Sequence, residues 1–157
     1  MTAIRKTLLA TSLAFLATAA SADDKTTVQT FYDLLSNPGS EDLTASFLEV
    51  TAADWESIGN YSGDNKSREA FVGQMGFFSQ LIPDLDWSVQ AMHQDGEVIT
   101  VRSRATGTPT GPLFGVDGQG RSFDILAIDI HELKDGFIVR TYHVEDWATA
   151  LQQLAGQ

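Results

Sequence analysis

Apolar residues recur every three or four positions through the first half of the chain, and this spacing predicts helices. The pattern predicts one helix around residues 28–35, a second beginning at 40–42 and a third over 67–82. Pro83 ends the third helix, because proline cannot continue a helical hydrogen-bond ladder. The first half of the chain is therefore predicted to be helical.

Apolar and polar residues alternate in the second half, and this alternation predicts strands. The pattern predicts two hairpins, each joined by an Asp-Gly pair, from the segments 85–93, 97–107, 121–133 and 137–144. Residues 55–58 predict a further edge strand and residues 147–154 a closing helix. Helices followed by an antiparallel meander describe an α+β fold, in which one curved sheet wraps around the N-terminal helices and leaves an apolar pocket.

Composition narrows the class of protein. The chain has 157 residues, 43% of them hydrophobic, which suits one domain with a substantial core. It has no cysteine, so disulfides and thiolate metal sites are excluded. Its formal net charge of −11 disfavours nucleic acid and anionic membrane surfaces as partners, since both carry negative charge.

The N-terminus has the three regions of a secretory signal peptide. Arg5 and Lys6 are followed by an apolar stretch at 8–20 and by the small residues Ala20-Ser21-Ala22. We therefore expect residues 1–22 to be a cleavable signal peptide and residues 24–156 to form one domain. The product is expected to be periplasmic or secreted, with no membrane association after cleavage.

Several short motifs follow one another in the order and spacing of a known family. They are Pro83-Asp84-Leu85, Asp95-Gly96, Arg104-Ala105-Thr106-Gly107-Thr108 with Gly111, Asp129-Ile130-His131, Asp135-Gly136, and Asp146 before Leu151-Gln152-Gln153-Leu154. Together they resemble the SnoaL-like polyketide cyclase (ester cyclase) family of the NTF2-like superfamily. The resemblance implies a cone-shaped α+β barrel with a deep apolar pocket, often dimeric through its sheet. It also implies chemistry by an acidic residue, with no metal or organic cofactor.

The chain departs from that family's pattern at two positions. Many relatives have histidine in a Gly-Thr-His-x-Gly motif, where this chain has Pro109, so any role of that histidine is lost. The family usually has tryptophan before its last aspartate, and the nearest match here is Tyr142.

Asp129 is the first candidate catalytic residue, because its charge interrupts the apolar run Leu126-Ala127-Ile128-Asp129-Ile130. By the resemblance, it matches the cavity aspartate of the cyclases. An apolar pocket raises the pKa of a carboxyl group, and such an acid transfers protons near neutral pH. The alternative is a structural aspartate that bonds a neighbouring strand or His131.

His131 is the second candidate catalytic residue, since strand alternation places it on the same face as Asp129. It is expected either to pair with Asp129 and polarise a substrate oxygen, or to face solvent near the end of its strand. His143 and Asp146 lack the spacing of a metal site, and Asp146 is expected to cap the last helix.

The candidate ligand contacts come from three parts of the chain. They are Tyr142 on the last strand, Trp55 and Asn60 before the third helix, and Met75 and Phe78 on the apolar face of that helix. Tyr142 is expected to donate a hydrogen bond to a substrate oxygen, the alternative being a core aromatic residue. The glycine-rich segment 111–120 is expected to form a flap over the pocket.

These features lead to one main hypothesis and two alternatives. The main hypothesis is a cofactor-independent lyase, isomerase or cyclase that acts on a small apolar carbonyl compound. The first alternative is a periplasmic module that binds a small molecule without chemistry. The second is a dimeric interaction domain whose pocket is filled by large side chains such as Phe78 and Trp55. A homodimer is expected in each case.

Overall fold

The computed structural model describes the backbone of residues 13–157 and the side chains from residue 23 onward. The predicted signal peptide therefore lies outside the residues whose side chains are described. Within the described part, the elements are α1 (Leu13–Ser36), α2 (Glu41–Val50), β1 (Thr51–Ile58), β2 (Lys66–Ser67), α3 (Arg68–Leu81), β3 (Asp86–Asp95), β4 (Val98–Gly107), β5 (Phe123–Lys134), β6 (Phe137–Glu145) and α4 (Trp147–Ala155). No helix in this part is long and apolar enough to cross a membrane.

The strands form one open sheet in the order β2-β1-β6-β5-β4-β3. Neighbouring strands are antiparallel except β1 and β6, which are parallel. The predicted α+β fold, with a curved sheet against N-terminal helices, is confirmed. Two details are corrected. The sheet is mixed rather than wholly antiparallel, because β1 and β6 are parallel. β1 is an interior strand rather than an edge strand, because Lys66 and Ser67 pair with its free side and form the edge.

Helix and turn boundaries follow local hydrogen bonding. Ser40, Ser67 and Asp146 each accept a hydrogen bond from a backbone N–H in the first turn of α2, α3 and α4. Asp146 is therefore the helix cap that its position predicts. At the β5–β6 turn, Asp135 and Gly136 both have positive φ, 52° and 82°, as a two-residue hairpin of the primed type requires.

The core lies between the helices and the concave face of the sheet. On β5, alternate residues from Phe123 to Leu133 are buried, while Leu126, Ile128 and Ile130 face outward and are exposed. Asp129 and His131 belong to the inward set, at 3% and 0% exposure. A charged residue and a histidine are thus held inside the core by strand alternation.

A β-bulge in β6 decides which side chain lies opposite Asp129. Lys134 pairs with Phe137 and Leu133 with Ile138, but Glu132 pairs with Arg140, so Val139 is the extra residue. Beyond the bulge, Asp129 pairs with His143. The bulge therefore turns His143 toward the concave face of the sheet.

Candidate active-site cavity

A cavity of about 260 Å³ lies between α1, α3 and the concave face of the sheet. Its walls are mainly aromatic and aliphatic, from Phe31, Leu35, Phe71, Met75, Phe78, Trp87, Phe114 and Trp147. Its polar lining consists of Ser57, Lys66, Gln74, Asp129, Thr141, His143 and Glu145. An apolar cavity with a few converging polar groups is the usual form of a small-molecule site. Because Phe78 lines this space without filling it, the cavity has room for a ligand.

Asp129 reaches the cavity from β5, and Tyr32 of α1 holds one of its oxygens. The Tyr32 hydroxyl donates to Oδ2 of Asp129 over 2.6 Å. Burial raises the pKa of Asp129 to about 7, although the Tyr32 hydrogen bond lowers it and Glu145 adds a smaller upward effect. Both protonation states of this carboxyl group are therefore populated near neutral pH.

Behind Asp129, hydrogen bonds link four buried side chains. Trp55 Nε1 donates to Thr141 Oγ1 over 3.0 Å, Thr141 Oγ1 lies 3.0 Å from His131 Nδ1, and His131 Nε2 lies 3.0 Å from the Tyr32 hydroxyl. We name Trp55, Thr141, His131, Tyr32 and Asp129 the Asp129 chain.

The residues at the two ends of the Asp129 chain determine which group donates in each of its hydrogen bonds. Trp55 can only donate, and the ionised Asp129 can only accept. Burial lowers the pKa of His131 to about 3, so its ring is neutral and carries one N–H. Thr141 then donates to Nδ1, and the Nε2–H group donates to Tyr32, which donates to Asp129. All of these hydrogen bonds point toward the carboxylate.

His131 and Trp55 act from behind the cavity rather than within it. His131 is fully buried, which excludes the solvent-exposed position considered for it, and Tyr32 stands between it and Asp129. Trp55 packs in an aromatic cluster, with ring centroids 5.2 Å from Phe71 and 5.4 Å from Phe47. Neither side chain is part of the cavity lining. The predicted ligand contact by Trp55 is corrected to a structural hydrogen bond with Thr141. The predicted direct pairing of His131 with Asp129 is corrected to a contact through Tyr32.

Tyr142 and Asn60 lie on the opposite face of the sheet. They line a shallow depression on the outer surface together with Ile128, Ile130 and other residues. For Tyr142 the reason is the bulge at Val139, since it gives His143, and not Tyr142, the inward position next to Asp129. Neither residue lines the cavity, so the predicted ligand contacts of Tyr142 and Asn60 are both corrected.

A second polar group of the cavity is centred on His143. Its Nδ1 lies 2.7 Å from Glu145 Oε1, and its Nε2 lies 3.0 Å from the Ser57 hydroxyl. Trp147 Nε1 donates to the other Glu145 oxygen over 3.2 Å. The sequence pattern indicates His143 only as a possible metal ligand and gives no indication of Ser57. The signal was the alternation of Thr141, His143 and Glu145 along one face of β6.

The described residues contain no group of three His, Cys, Asp or Glu side chains placed to hold a metal ion.

The segment 111–120 contributes Phe114, which lines the cavity although 58% of it is exposed. The Phe114 ring lies 5.4 Å from the ring of Trp147. This segment therefore borders the cavity at the end near α4.

Comparison with known proteins connects this arrangement to a family. The family model for SnoaL-like polyketide cyclases matches residues 26–154. No curated protein matches the chain.

Solved structures share the fold. A protein of Jannaschia sp. CCS1 that bears the name SnoaL-like polyketide cyclase has a TM-score of 0.74 and 19% identity, over 87% of this chain and 94% of that chain. IdmH of Streptomyces antibioticus, named as a polyketide cyclase, has a TM-score of 0.72 and 26% identity, over 84% and 98%. AclR of Streptomyces galilaeus, named as a hydroxylase, has a TM-score of 0.71 and 18% identity, over 87% and 83%. Proteins of this fold thus bear names that refer to different reactions.

Proposed function

Because the chain belongs to the SnoaL-like polyketide cyclase family, we propose that it is a cofactor-independent acid–base enzyme of the lyase, isomerase or cyclase type. Its substrate would be a small apolar carbonyl compound. The observation that carries this proposal is the Asp129 carboxyl group, which opens into an apolar cavity and has a pKa of about 7. Such a group is both a proton acceptor and a proton donor at neutral pH.

Asp129 would transfer a proton at the carbon next to the substrate carbonyl. In its carboxylate form it removes a proton from that carbon, and in its neutral form it returns a proton to the product. Tyr32 occupies Oδ2, and the described residues give Oδ1 no hydrogen-bond partner. Oδ1 is therefore the atom that would exchange the proton.

His131 would act on this step through Tyr32 as a positioning residue. Its neutral ring donates to Tyr32, and the Tyr32 hydroxyl group then points at Asp129. Burial and the neighbouring Asp129 keep the pKa of Tyr32 well above its usual value, so the phenol stays protonated. The Asp129 chain thus stabilises the carboxylate. Because the Tyr32 phenol stays protonated, it does not compete with Asp129 as a base for the substrate proton.

The cavity supplies donors for the substrate oxygen. Gln74 and Lys66 both line it, and an amide or ammonium group stabilises the negative charge that develops on a carbonyl oxygen during enolisation. The volume of about 260 Å³ is small for a ligand site and favours a compact substrate.

A binding module without chemistry is the second candidate, and Pro109 favours it. By the resemblance, Pro109 stands where the family's Gly-Thr-His-x-Gly motif has histidine, and proline has no group that transfers a proton. This candidate predicts retention of a small apolar molecule without product.

Deuterium exchange into a small ketone tests the main proposal without knowledge of the natural substrate. Cyclohexanone would be incubated with the protein in D₂O, and deuterium at the α-carbons would be followed by NMR. We expect catalysed exchange in the wild type and a loss of roughly 100-fold or more in Asp129→Asn. The matched control is Tyr142→Phe, which changes the outer face and should keep the wild-type rate.

Equal exchange by the wild type and Asp129→Asn would contradict the proposal. Saturable binding of cyclohexanone with no exchange above the buffer rate would favour the binding module instead.

We also propose that the protein is exported and forms a homodimer. Export is supported by the basic, apolar and small-residue regions of residues 1–22. Cell fractionation with N-terminal sequencing tests it, and a protein found only in the cytoplasm with an intact Met1 would contradict it. A homodimer is supported by exposed apolar side chains on the outer face of the sheet, at Leu126, Ile128, Ile130 and Val144.

A further inference from the structure

The wall of the cavity formed by β1 and β6 contains a serine, a histidine and a glutamate joined in series. Ser57 Oγ lies 3.0 Å from His143 Nε2, and His143 Nδ1 lies 2.7 Å from Glu145 Oε1. All three residues line the cavity. None of the three is the proton donor or acceptor proposed for the ketone reaction.

We propose that Ser57, His143 and Glu145 form a nucleophilic triad that gives this protein a second activity, the hydrolysis of small apolar esters. A triad is recognised by geometry: a nucleophile bonded to a base, and a base bonded to a group that orients it. Both hydrogen bonds are present here, and the nucleophile faces a cavity that fits a small apolar acyl group. The nucleophile of this reaction is Ser57, and not the Asp129 carboxyl group proposed for proton transfer.

Strand alternation and the bulge at Val139 bring the three residues together. Ser57 is inward-facing on β1, and His143 and Glu145 are inward-facing on β6, the parallel neighbour of β1. Trp147 Nε1 donates to the second oxygen of Glu145 over 3.2 Å. The carboxylate is therefore fixed from two sides, by His143 and by Trp147.

The position of the imidazole ring is also fixed by its neighbours. A Cβ atom on Gly59 would lie 3.0 Å from His143 Cε1 and 3.1 Å from Nε2, so the ring packs directly against the Gly59 backbone. With Nδ1–H donated to Glu145, the Nε2 atom accepts the hydrogen bond of the Ser57 hydroxyl group. This tautomer is the one that a general base for serine requires.

The reaction has two steps, acylation of Ser57 and hydrolysis of the acyl group. The Ser57 oxygen bonds to the ester carbonyl carbon while its proton moves to His143 Nε2, and the ester C–O bond then breaks as the alcohol leaves with that proton. Water attacks the acyl–Ser57 ester with His143 as base, which releases the carboxylic acid and restores the Ser57 hydroxyl group. Water is the only co-reactant.

Lys66 is placed to stabilise the charge that develops on the carbonyl oxygen. It is the cross-strand partner of Ser57 and lines the same cavity. Among the described residues, no ion pair or side-chain hydrogen bond engages its ammonium group. A cation beside the nucleophile stabilises a tetrahedral oxyanion.

Labelling with a short-chain alkyl fluorophosphonate tests the triad, because this reagent bonds to an activated serine oxygen and releases fluoride. We expect intact-mass analysis to show one adduct on the wild type, and peptide mapping to place it on Ser57. Hydrolysis of p-nitrophenyl acetate should fall to the buffer rate in Ser57→Ala, and roughly 100-fold or more in His143→Gln. Ser88→Ala, which changes a partly buried serine on β3 that does not line the cavity, is the control and should keep both properties.

The position of the adduct separates this inference from the proposed function, because labelling requires the Ser57 oxygen whereas ketone exchange is assigned to Asp129. An adduct on Ser57 supports the triad whether or not ketone exchange is found, and ketone exchange without an adduct supports only the proposed function. A wild type that stays unlabelled, or an adduct and hydrolysis rate that survive in Ser57→Ala, would overturn the triad. Either result would leave the test of Asp129 unaffected.

Discussion

The hydroxyl group of Tyr32 on α1 lies 2.6 Å from Oδ2 of Asp129 on β5. This contact attaches the long N-terminal helix to the sheet at the point where the cavity holds its buried carboxyl group. Burial raises the pKa of Asp129, and the Tyr32 hydrogen bond opposes that effect by stabilising the carboxylate. The proton affinity of Asp129 is therefore set jointly by two elements that are distant in the sequence.

Replacing Tyr32 with phenylalanine should raise the pKa of Asp129 above about 7, because the donor that stabilises the carboxylate is removed. NMR titration of the ¹³C-labelled aspartate carboxyl carbons measures this change directly. The variant should also unfold more easily, by about 1–3 kcal/mol, since His131 loses its buried acceptor. Tyr142→Phe should change neither quantity, and a lowered pKa of Asp129 in Tyr32→Phe would contradict the assignment.

The pKa of Asp129 predicts a pH-dependent stability. Between pH 3.8 and about 7 the folded protein keeps this proton while the unfolded chain loses it, so this group's contribution to the free energy of unfolding falls as pH rises. The difference between the two pKa values, 3.8 and about 7, corresponds to roughly 4 kcal/mol in the free energy of unfolding. Tyr32, Glu145 and His143 are the ionisable groups acting on Asp129.

The Asp129→Asn variant removes that contribution. Its free energy of unfolding is measured by urea denaturation and compared with that of the wild type. The difference, variant minus wild type, should increase as pH rises from 4 to 7 and change little above pH 7. A difference between the two proteins that is independent of pH would contradict the raised pKa.

His131 predicts the opposite dependence. Its pKa is lowered from 6.5 to about 3 by burial first and by His143 second. Between these values the unfolded chain takes up a proton that the folded protein excludes, so this contribution falls as pH drops from 6.5 to 3. The free energy of unfolding of His131→Gln, relative to that of the wild type, should therefore increase as pH falls from 6.5 to 3. A constant difference caused by the substitution itself does not change this slope. Urea denaturation at several pH values measures this, and a parallel pH dependence would contradict a buried neutral imidazole.

The helices and the two hairpins could be predicted because their signals are local. Apolar spacing, Pro83 and the pairs Asp95-Gly96 and Asp135-Gly136 mark these elements within a few residues of one another. The buried position of Asp129 follows from alternation on a single strand. These features need no information about distant parts of the chain.

The rest of the site depends on long-range geometry. The bulge at Val139 shifts the register by one residue; without it, counting from the Lys134–Phe137 pair would place Tyr142, rather than His143, opposite Asp129. Tyr32 has the pattern of an ordinary core aromatic residue, and its partner lies 97 positions away. Ser57 joins the site through the parallel pairing of β1 with β6. No local pattern predicts such pairings.

Two glycines should respond oppositely to alanine. At Gly73, in the interior of α3, an added Cβ meets no atom within 4 Å, so Gly73→Ala should raise the free energy of unfolding by about 0.5–1 kcal/mol. At Gly107 the same atom would lie 2.4 Å from Ile82 Cγ2, so Gly107→Ala should lower it by about 1–3 kcal/mol. Urea denaturation compares both variants with the wild type. A stabilised Gly107→Ala would contradict the close packing of β4 against Ile82.

The outer face of the sheet should be the interface of a homodimer. Leu126, Ile128 and Ile130 follow one another along β5, and Val144 is the cross-strand partner of Ile128, so these exposed side chains form one continuous patch. Ile128→Lys should convert the dimer to monomer in sedimentation velocity, because an interface that buries an unpaired ammonium group is destabilised. Leu48→Lys is the matched control, since Leu48 on α2 is 39% exposed and Ile128 is 38% exposed. A wild type that sediments as a monomer at all concentrations, or a dimer retained in Ile128→Lys, would contradict this interface.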